Sequence, residues 1–541
     1  MILGISIKAE SSMGGVTGIN DKVNVMDFFS KYILTELQDV NHNVRPMVKA
    51  TAIKFASTFR NQFTKEHLSA LMPLLISHLG SPSVVVHTYS AAAIEKFLTC
   101  KEPTADGKKK NKFGGDEIKP FLENLFTGLF AIVDNADWNE NEYVMKCIMR
   151  SLNAAKNDIL PVTQIVLDKL NAALFVVAKN PRNPQYNHYM FESIAVLVKA
   201  VCSKHQEHTA TFEGLLFPPF QQVLQMDVAE FTPYVFQILA QLLEYRPDNT
   251  GLGEAYTMLF APMLTPNLWE SKGNVPALTR LLQAYLKKGA SETVSHLSGM
   301  LGVFQKLLSM RSTESDAFAL LSAIIQFVPA EKLQPFMSGI FGLLFTRLQG
   351  STKNARYKRL ISCFVALLTG KYGSQKTFEL LNSVQAGVHM MFLKQVWMPV
   401  LSEDNPARTE AKIQIIALTK LICESPVLLN DDAGREIWGL ALVSILKILS
   451  SPAASFGSGT EDDQEVEIGY DPTFSRLFFA TRAPLDPFPE VSDPSLAFVK
   501  ALHQACTSNP AVRPLIQQGT QANPKMSVAL DAMFQKAGLH F

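Results

Sequence analysis

Apolar residues recur along this chain at helical spacing, in blocks separated by short polar turns. After Leu37-Gln-Asp39-Val40-Asn-His-Asn-Val44-Arg45-Pro46, the residues Val48, Ala52, Phe55, Ala56 and Phe59 keep the i, i+4, i+7 rhythm of one helix face. The same reading predicts first helices near 27–40, 64–79, 116–133, 157–178, 213–226, 254–264, 290–309, 331–349, 375–401 and 430–450. Second helices fall near 45–59, 83–99, 140–155, 185–203, 231–245, 275–287, 313–327, 354–369 and 406–424. A tyrosine leads several second helices: Tyr89, Tyr143, Tyr189 and Tyr234 stand 54, 46 and 45 residues apart. Prolines mark the helices between them, at Pro73, Pro120, Pro161 and Pro218-Pro219. A two-helix unit of this length, repeated about ten times, predicts an all-α chain folded as an α-solenoid, a superhelix of stacked hairpins.

The turn before Pro46 resembles a HEAT-repeat turn, so the hairpins read as HEAT-like or ARM-type. In that family a turn Asp and a basic residue opening the second helix form a hydrogen-bond ladder, and here Asp39 and Arg45 match those places. Pro46 and Pro276 stand where a helix has no partner for its first amides, so they start helices. Pro120 and Pro399 lie inside first helices and are expected to bend them. Two stretches break the rhythm. Residues 101–115, with Lys108-Lys109-Lys110-Asn-Lys112 among glycines, read as an exposed basic loop. Residues 451–493 carry Glu461-Asp462-Asp463-Gln-Glu465-Val-Glu467 followed by Gly and Pro, and read as an extended acidic loop. The organisation is therefore a repeat array over 1–450, this loop, and capping helices over 494–541.

Composition narrows the function. Of 541 residues 47% are apolar and 18% charged, enough to fold and too little charge for disorder. Lys+Arg 50 against Asp+Glu 49 leaves a net +1, which gives no global pull toward nucleic acid or an anionic membrane. The longest mostly apolar run, Trp438 to Leu449, is too short to span a bilayer and contains Lys447, so no membrane insertion is expected. The six cysteines are far apart with no Cys-x-x-Cys, as for core thiols in a reducing compartment. The sequence lacks Gly-x-Gly-x-x-Gly, Gly-x-x-x-x-Gly-Lys-Ser/Thr, His-Glu-x-x-His and Gly-x-Ser-x-Gly. His205 and His208 are about a turn apart without a third ligand nearby, which suits solvated histidines better than zinc. No catalytic residue, cofactor or metal ligand is expected.

What remains is a surface for holding another protein. Tyr143, Tyr189 and Tyr234 recur at the same place in each unit and read as core. The carboxylates Glu140, Glu142, Glu192, Asp227 and Glu230 lie on or beside the same helices and are expected to form a negative inner strip for a basic partner, the alternative being an ordinary solvated face. Glu461, Asp462 and Asp463 are further partner-contact candidates within what otherwise reads as a solubilising loop.

Longer stretches are more specific. Glu140-Asn141-Glu142-Tyr143-Val-Met-Lys-Cys-Ile-Met-Arg150-Ser, Asn187-His188-Tyr189-Met190-Phe191-Glu192, Pro233-Tyr234-Val235-Phe236-Gln237, Leu268-Trp269-Glu270-x-x-Gly273-Asn274-x-Pro276-Ala277-Leu278 and Gly302-Val303-Phe304-Gln305-Lys306-Leu307 resemble the exportin-2 (CAS) family of karyopherins. So do Phe59-Arg60-Asn61-Gln62 and Lys65-Glu66-His67-Leu68. The resemblance implies a nuclear transport receptor that wraps importin-α together with Ran-GTP, meets nuclear pore proteins and shuttles between nucleus and cytoplasm. Family members are nearly twice as long, and their amino-terminal repeats carry the principal Ran site. Ile2-Leu3-Gly-Ile5-Ser-Ile7-Lys8-Ala9 aligns with the tail of an interior second helix, so the chain is expected to correspond to the carboxy-terminal portion of such a receptor. The competing expectation is a HEAT-repeat scaffold for another protein complex.

Overall fold

A computed structural model describes residues 6–9, 16–39, 41, 44–105, 107, 109–138, 140–248, 250–351, 353–403, 405–451, 476–482, 485–521 and 524–539. Among the described residues the chain is all-α apart from two small hairpins, and it divides into two compact units. One comprises Met1–Thr257, Ser271–Leu281 and Glu467–Thr481; the other comprises Met258–Glu270, Leu282–Val466 and Arg482–Phe541.

In the first unit a helical run from Val25 to Gln38 contains a π-turn over Phe29–Ile33 and precedes α1 (Pro46–Thr58). Then follow α2 (Lys65–Leu79), α3 (Val84–Leu98), α4 (Leu122–Val133), α5 (Glu142–Ala155), α6 (Thr163–Ala178), α7 (Pro184–Cys202), α8 (Thr209–Gln225) and α9 (Thr232–Tyr245). The second helices pack side by side in the order α1, α3, α5, α7, α9. Their sequences explain why they start where they do. Asn141 caps α5 by accepting from Tyr143 N at 3.2 Å, and Asn183 caps α7 by accepting from Tyr186 N at 3.1 Å. Pro46 takes the first position of α1 behind Arg45, whose left-handed φ of 52° turns the chain into the helix.

The helix after α9 is α10 (Glu254–Met263), then α11 (Val275–Lys288), α12 (Leu297–Ser309), α13 (Glu314–Phe327), α14 (Ala330–Gln349), α15 (Ala355–Tyr372), α16 (Ser374–Asn382), α17 (Met398–Glu403), α18 (Arg408–Glu424), α19 (Asp432–Leu449), α20 (Pro494–Ser508), α21 (Val512–Gln521) and α22 (Pro524–Lys536). In the second unit α13, α15, α18 and α19 stack in sequence, with α20 against α18 and α21 against α19. Indole N–H groups are satisfied inside the stack: Trp397 Nε1 donates to Gln414 Oε1 and Trp438 Nε1 to the Ile422 carbonyl, both at 2.8 Å. Three lysines tie their helices to the ends of earlier ones. Lys371 reaches the carbonyls of Ile325 and Gln326, Lys420 that of Gly370, and Lys447 those of Leu401 and Ser402. These are last-turn carbonyls at the negative end of the helix dipole, where a cation is favoured.

Several expectations change. Ser6–Ala9 is strand β1, paired antiparallel with β2 (Val16–Ile19), rather than the tail of a helix. The Ile5-Ser-Ile7-Lys8 alternation has the period of a strand, not of a helix. Asp39 bonds Lys49 at 2.8 Å, while Arg45 pairs with Glu36 at 2.9 Å, so the turn pair expected from the HEAT resemblance is exchanged. Within 101–115, Lys101–Pro103 (β3) and Lys109–Asn111 (β4) form a hairpin. It is anchored rather than loose, because Lys112 Nζ donates to the Phe63 carbonyl at 2.5 Å and the Asn61 carbonyl at 3.2 Å. Lys108 lies outside the described residues. The predicted helix 375–401 is interrupted after α16 and resumes at Val388 behind Gly387, whose φ is +79°. Pro120 and Pro161 sit in 3-10 turns that open their helices, where a missing amide costs least.

Gly302, Gly339 and Gly342 lie in α12 and α14 with nothing within 4 Å of where a Cβ would stand. Changing each to Ala should add roughly 0.5–1 kcal/mol of stability, read as a higher urea midpoint at unchanged slope.

Candidate partner-binding surface

Because the second helices of the first unit lie side by side, whatever recurs on their open faces makes a row. Each helix turns its large apolar residues inward; Phe55, Ile94, Ile148 and Phe191 are fully buried. Outward, at the amino-terminal turns, stand Met47 and Val48 on α1, Val84, Val85 and Tyr89 on α3, and Tyr143 on α5, all exposed. Beside them runs a line of ammonium groups. Lys54 Nζ lies 6.0 Å from the centre of the Tyr89 ring, and Lys146 Nζ 5.5 Å from that of Tyr189. Lys96 completes the cluster. Burial, then the positive charges of Arg60, Lys146 and Lys54, hold its ammonium below the usual lysine range against the opposing pull of Glu95. The carboxylate of Glu95, itself buried, is shared by Lys146 at 3.9 Å and Arg150 at 3.6 Å. The open face over α1, α3 and α5 is thus aromatic and basic.

The acidic candidates do not gather there. Glu140 occupies the turn before α5 with φ 59° and bonds Arg182 at 3.0 Å; its carbonyl accepts from Asn183 at 2.9 Å. Glu142 is half-buried at the start of α5. Asp227, at φ 51°, and Glu230 are exposed in the turn between α8 and α9. Glu192 is 2% exposed. Its carboxylate accepts the main-chain N–H of Phe478 at 2.5 Å and of Phe479 at 3.1 Å, so it serves the chain's own segment instead of facing solvent. Glu461, Asp462 and Asp463 lie outside the described residues.

The tyrosines also divide. Tyr234 is buried at 4%, stacked on Phe191 with ring centres 4.7 Å apart, and its hydroxyl lies 3.1 Å from His188 Nδ1. Tyr189 is half-buried, while Tyr143 is 50% exposed and so is not core. Tyr143 is the second residue of α5, Tyr234 the third of α9 and Tyr189 the sixth of α7, so they do not share one place on their helices, and each residue of offset turns a side chain by about 100°. The lysines were the missed signal. Lys146, Lys96 and Lys199 follow their leading tyrosines by three, seven and ten residues, offsets that fall on one helical face.

Burial pushes the Glu192 carboxyl up to about 7, although the two amides, Arg150 and Lys199 oppose the shift. His188 Nε2, on the same helix, lies 3.8 Å from its Oε1. A raised acid holds a proton in the folded chain that the unfolded chain releases. Its contribution to stability is therefore complete below about pH 4.5 and lost as pH rises through about 7, on the order of 3 kcal/mol. The stability of the native chain minus that of Glu192→Gln should fall between pH 5 and 7 and flatten above.

The remaining candidate chemistry is bland. Burial raises all six thiols above the usual range, Cys202, Cys363 and Cys423 to about 12, so none is poised as a thiolate. His205 lies 3.3 Å from Glu207, and among the described residues no group of three or more His, Cys, Asp or Glu converges as metal ligands. One stretch, Asp158–Ala178, is long and apolar enough to cross a membrane by composition; α6 within it packs against α7 and α8.

Comparison with known proteins adds the family. A family model described as CAS/CSE protein, C-terminus, matches residues 95–529, and one described as Cse1 matches 1–94. Exportin-2 of Bos taurus is 36% identical over 517 residues, as is Exportin-2 of Homo sapiens; each alignment covers 94% of this chain and 52% of the relative. The chain spans about half the length of the curated relatives it matches. A solved structure of the exportin Cse1 in its cargo-free, cytoplasmic state superposes with a TM-score of 0.81 at 28% identity, covering 98% of this chain and 53% of that one. Yeast importin-beta, at a TM-score of 0.50 and 10% identity over 93% of this chain and 57% of that one, shares the fold. With the stacked hairpins, these matches show that the chain belongs to the CAS/CSE family, and its fold is the all-α helical-repeat array of the karyopherins.

Proposed function

We propose that this chain is the carboxy-terminal, partner-holding part of a nuclear export receptor that returns importin-α to the cytoplasm together with Ran-GTP. The observation that carries the reading is likeness to Exportin-2 along 94% of the chain at 36% identity. Stacked hairpins suit such a receptor because small shifts at many helix–helix contacts add up, so two ligands that favour the same arrangement favour each other. In the first unit the row of Lys54, Lys96 and Lys146 beside Tyr89 and Tyr143 offers charge and aromatic area to an acidic segment of a partner. Asp227 and Glu230 remain open to a basic one, and Glu140, Glu142, Glu461, Asp462 and Asp463 stay as secondary candidates. The principal Ran contacts and the contacts to nuclear pore proteins are assigned to the whole receptor, which shuttles between nucleus and cytoplasm.

The test is a pull-down of purified importin-α by the chain extended to family length, with and without GTP-loaded Ran. Retention of importin-α only with Ran supports the reading; no retention in either case overturns it. Residues 1–541 alone should show little Ran dependence. Lys54→Glu with Lys146→Glu should reduce partner retention at least tenfold at 50 mM salt and less at 500 mM, since surface ion pairs are screened.

A further inference from the structure

The contact made by Glu192 belongs to a larger arrangement. Three successive main-chain N–H groups, those of Leu477, Phe478 and Phe479, each donate to a side-chain oxygen of α7 or α9. Leu477 N meets Gln237 Oε1 at 2.8 Å, and Phe478 N and Phe479 N meet the two oxygens of Glu192. The Phe479 carbonyl accepts from Gln241 Nε2 at 3.1 Å, and the same amide also donates to the Ala195 carbonyl at 3.0 Å. Glu192, Gln237 and Gln241 are all buried. Lys199 Nζ lies 5.9 Å from the centre of the Phe479 ring. The segment keeps its own shape, since Thr481 N donates to the Phe478 carbonyl at 3.1 Å and Thr481 Oγ1 to the Leu477 carbonyl at 3.0 Å.

This is how a receptor reads a peptide. Buried carboxylate and amide groups are expensive unless satisfied, and the chain distant by more than 230 residues meets both Glu192 oxygens, Gln237 Oε1 and Gln241 Nε2 with main-chain groups that every sequence carries. Main-chain recognition supplies affinity, while burial of the Leu477 and Phe479 side chains supplies selectivity. We propose that the crevice between α7 and α9 is a peptide-binding site whose resident ligand is the chain's own Leu477-Phe478-Phe479-Ala480 turn, held reversibly so that the same peptide supplied in trans exchanges with it. The existence of this site does not depend on the transport reading.

The probe is a fluorescein-labelled peptide spanning Arg476 to Arg482, titrated against the native chain and against a variant with Leu477→Gly, Phe478→Ser and Phe479→Gly. The variant, its site vacated, should bind the peptide at least tenfold more tightly than the native chain. Methylating the peptide nitrogens of Phe478 and Phe479, or adding Glu192→Gln to the variant, should remove at least tenfold of that affinity. Equal binding by both chains, or indifference to N-methylation, overturns the proposal. Should the variant fail to fold, hydrogen exchange of the native chain decides. The amides of Leu477, Phe478 and Phe479 should exchange faster than the core of α7, and faster again with excess unlabelled peptide. If they exchange only with global unfolding, the segment is a fixed part of the core and no exchangeable site exists.

Discussion

Glu192→Lys should destabilise the first unit by about 3–5 kcal/mol, enough to broaden or abolish its unfolding transition. As a surface residue of an inner acidic strip, Glu192 would tolerate this change and lose only partner affinity. In the structure it is buried, with Arg150 and Lys199 contributing positive charge and the N–H groups of Phe478 and Phe479 aimed at its oxygens. A lysine brings a third positive charge and leaves two donors facing a donor. Glu230→Lys, at an exposed turn position, should move stability by less than about 0.5 kcal/mol. Urea unfolding followed by helical circular dichroism separates the two. Equal, small effects would return Glu192 to the surface.

Gly434→Ala should cost about 2–3 kcal/mol in the second unit. Gly434 lies in the first turn of α19, where its N–H donates to Asp431 Oδ1 at 2.6 Å, and the backbone of a short helix just before α19, Val427–Asn430, lies directly against it. A Cβ there would stand 2.9 Å from both Leu428 Cα and the Val427 carbonyl oxygen. Both are backbone atoms, so relief requires moving the short helix or α19 itself, whose indole Trp438 is fully buried. The open glycines of α12 and α14 should respond with the opposite sign, so the contrast isolates contact from helix propensity. A neutral Gly434→Ala would show that this crossing is looser than the packing indicates.

The helices were legible because each buries one stripe at a period of 3.6, and Ala52, Phe55, Ala56 and Phe59 record that period, whereas Val48, expected on the same stripe, is exposed. The strand at Ser6–Ala9 shows in its own alternation, which its likeness to a helix tail conceals. Glu192 was illegible for a different reason. Its burial is made by amides 286 and 287 residues later, and main-chain donors leave no mark in sequence spacing. Tyr143 and Tyr234 look equivalent in the sequence, yet one is the second residue of α5 and exposed while the other is the third of α9 and buried, a step of about 100° around the helix. Two members of the basic row, Lys96 and Lys146, are present in their offsets from the tyrosines, a periodic signal that Lys199 shares and that the nearby carboxylates overshadow.

The proposal that this array holds importin-α cooperatively with Ran is tested most directly by titrating importin-α into the chain extended to family length, with GTP-loaded Ran at saturation and without it. Coupling through a shared helix arrangement predicts a dissociation constant lower by at least about fivefold when Ran is present. Equal dissociation constants in the two titrations would contradict it.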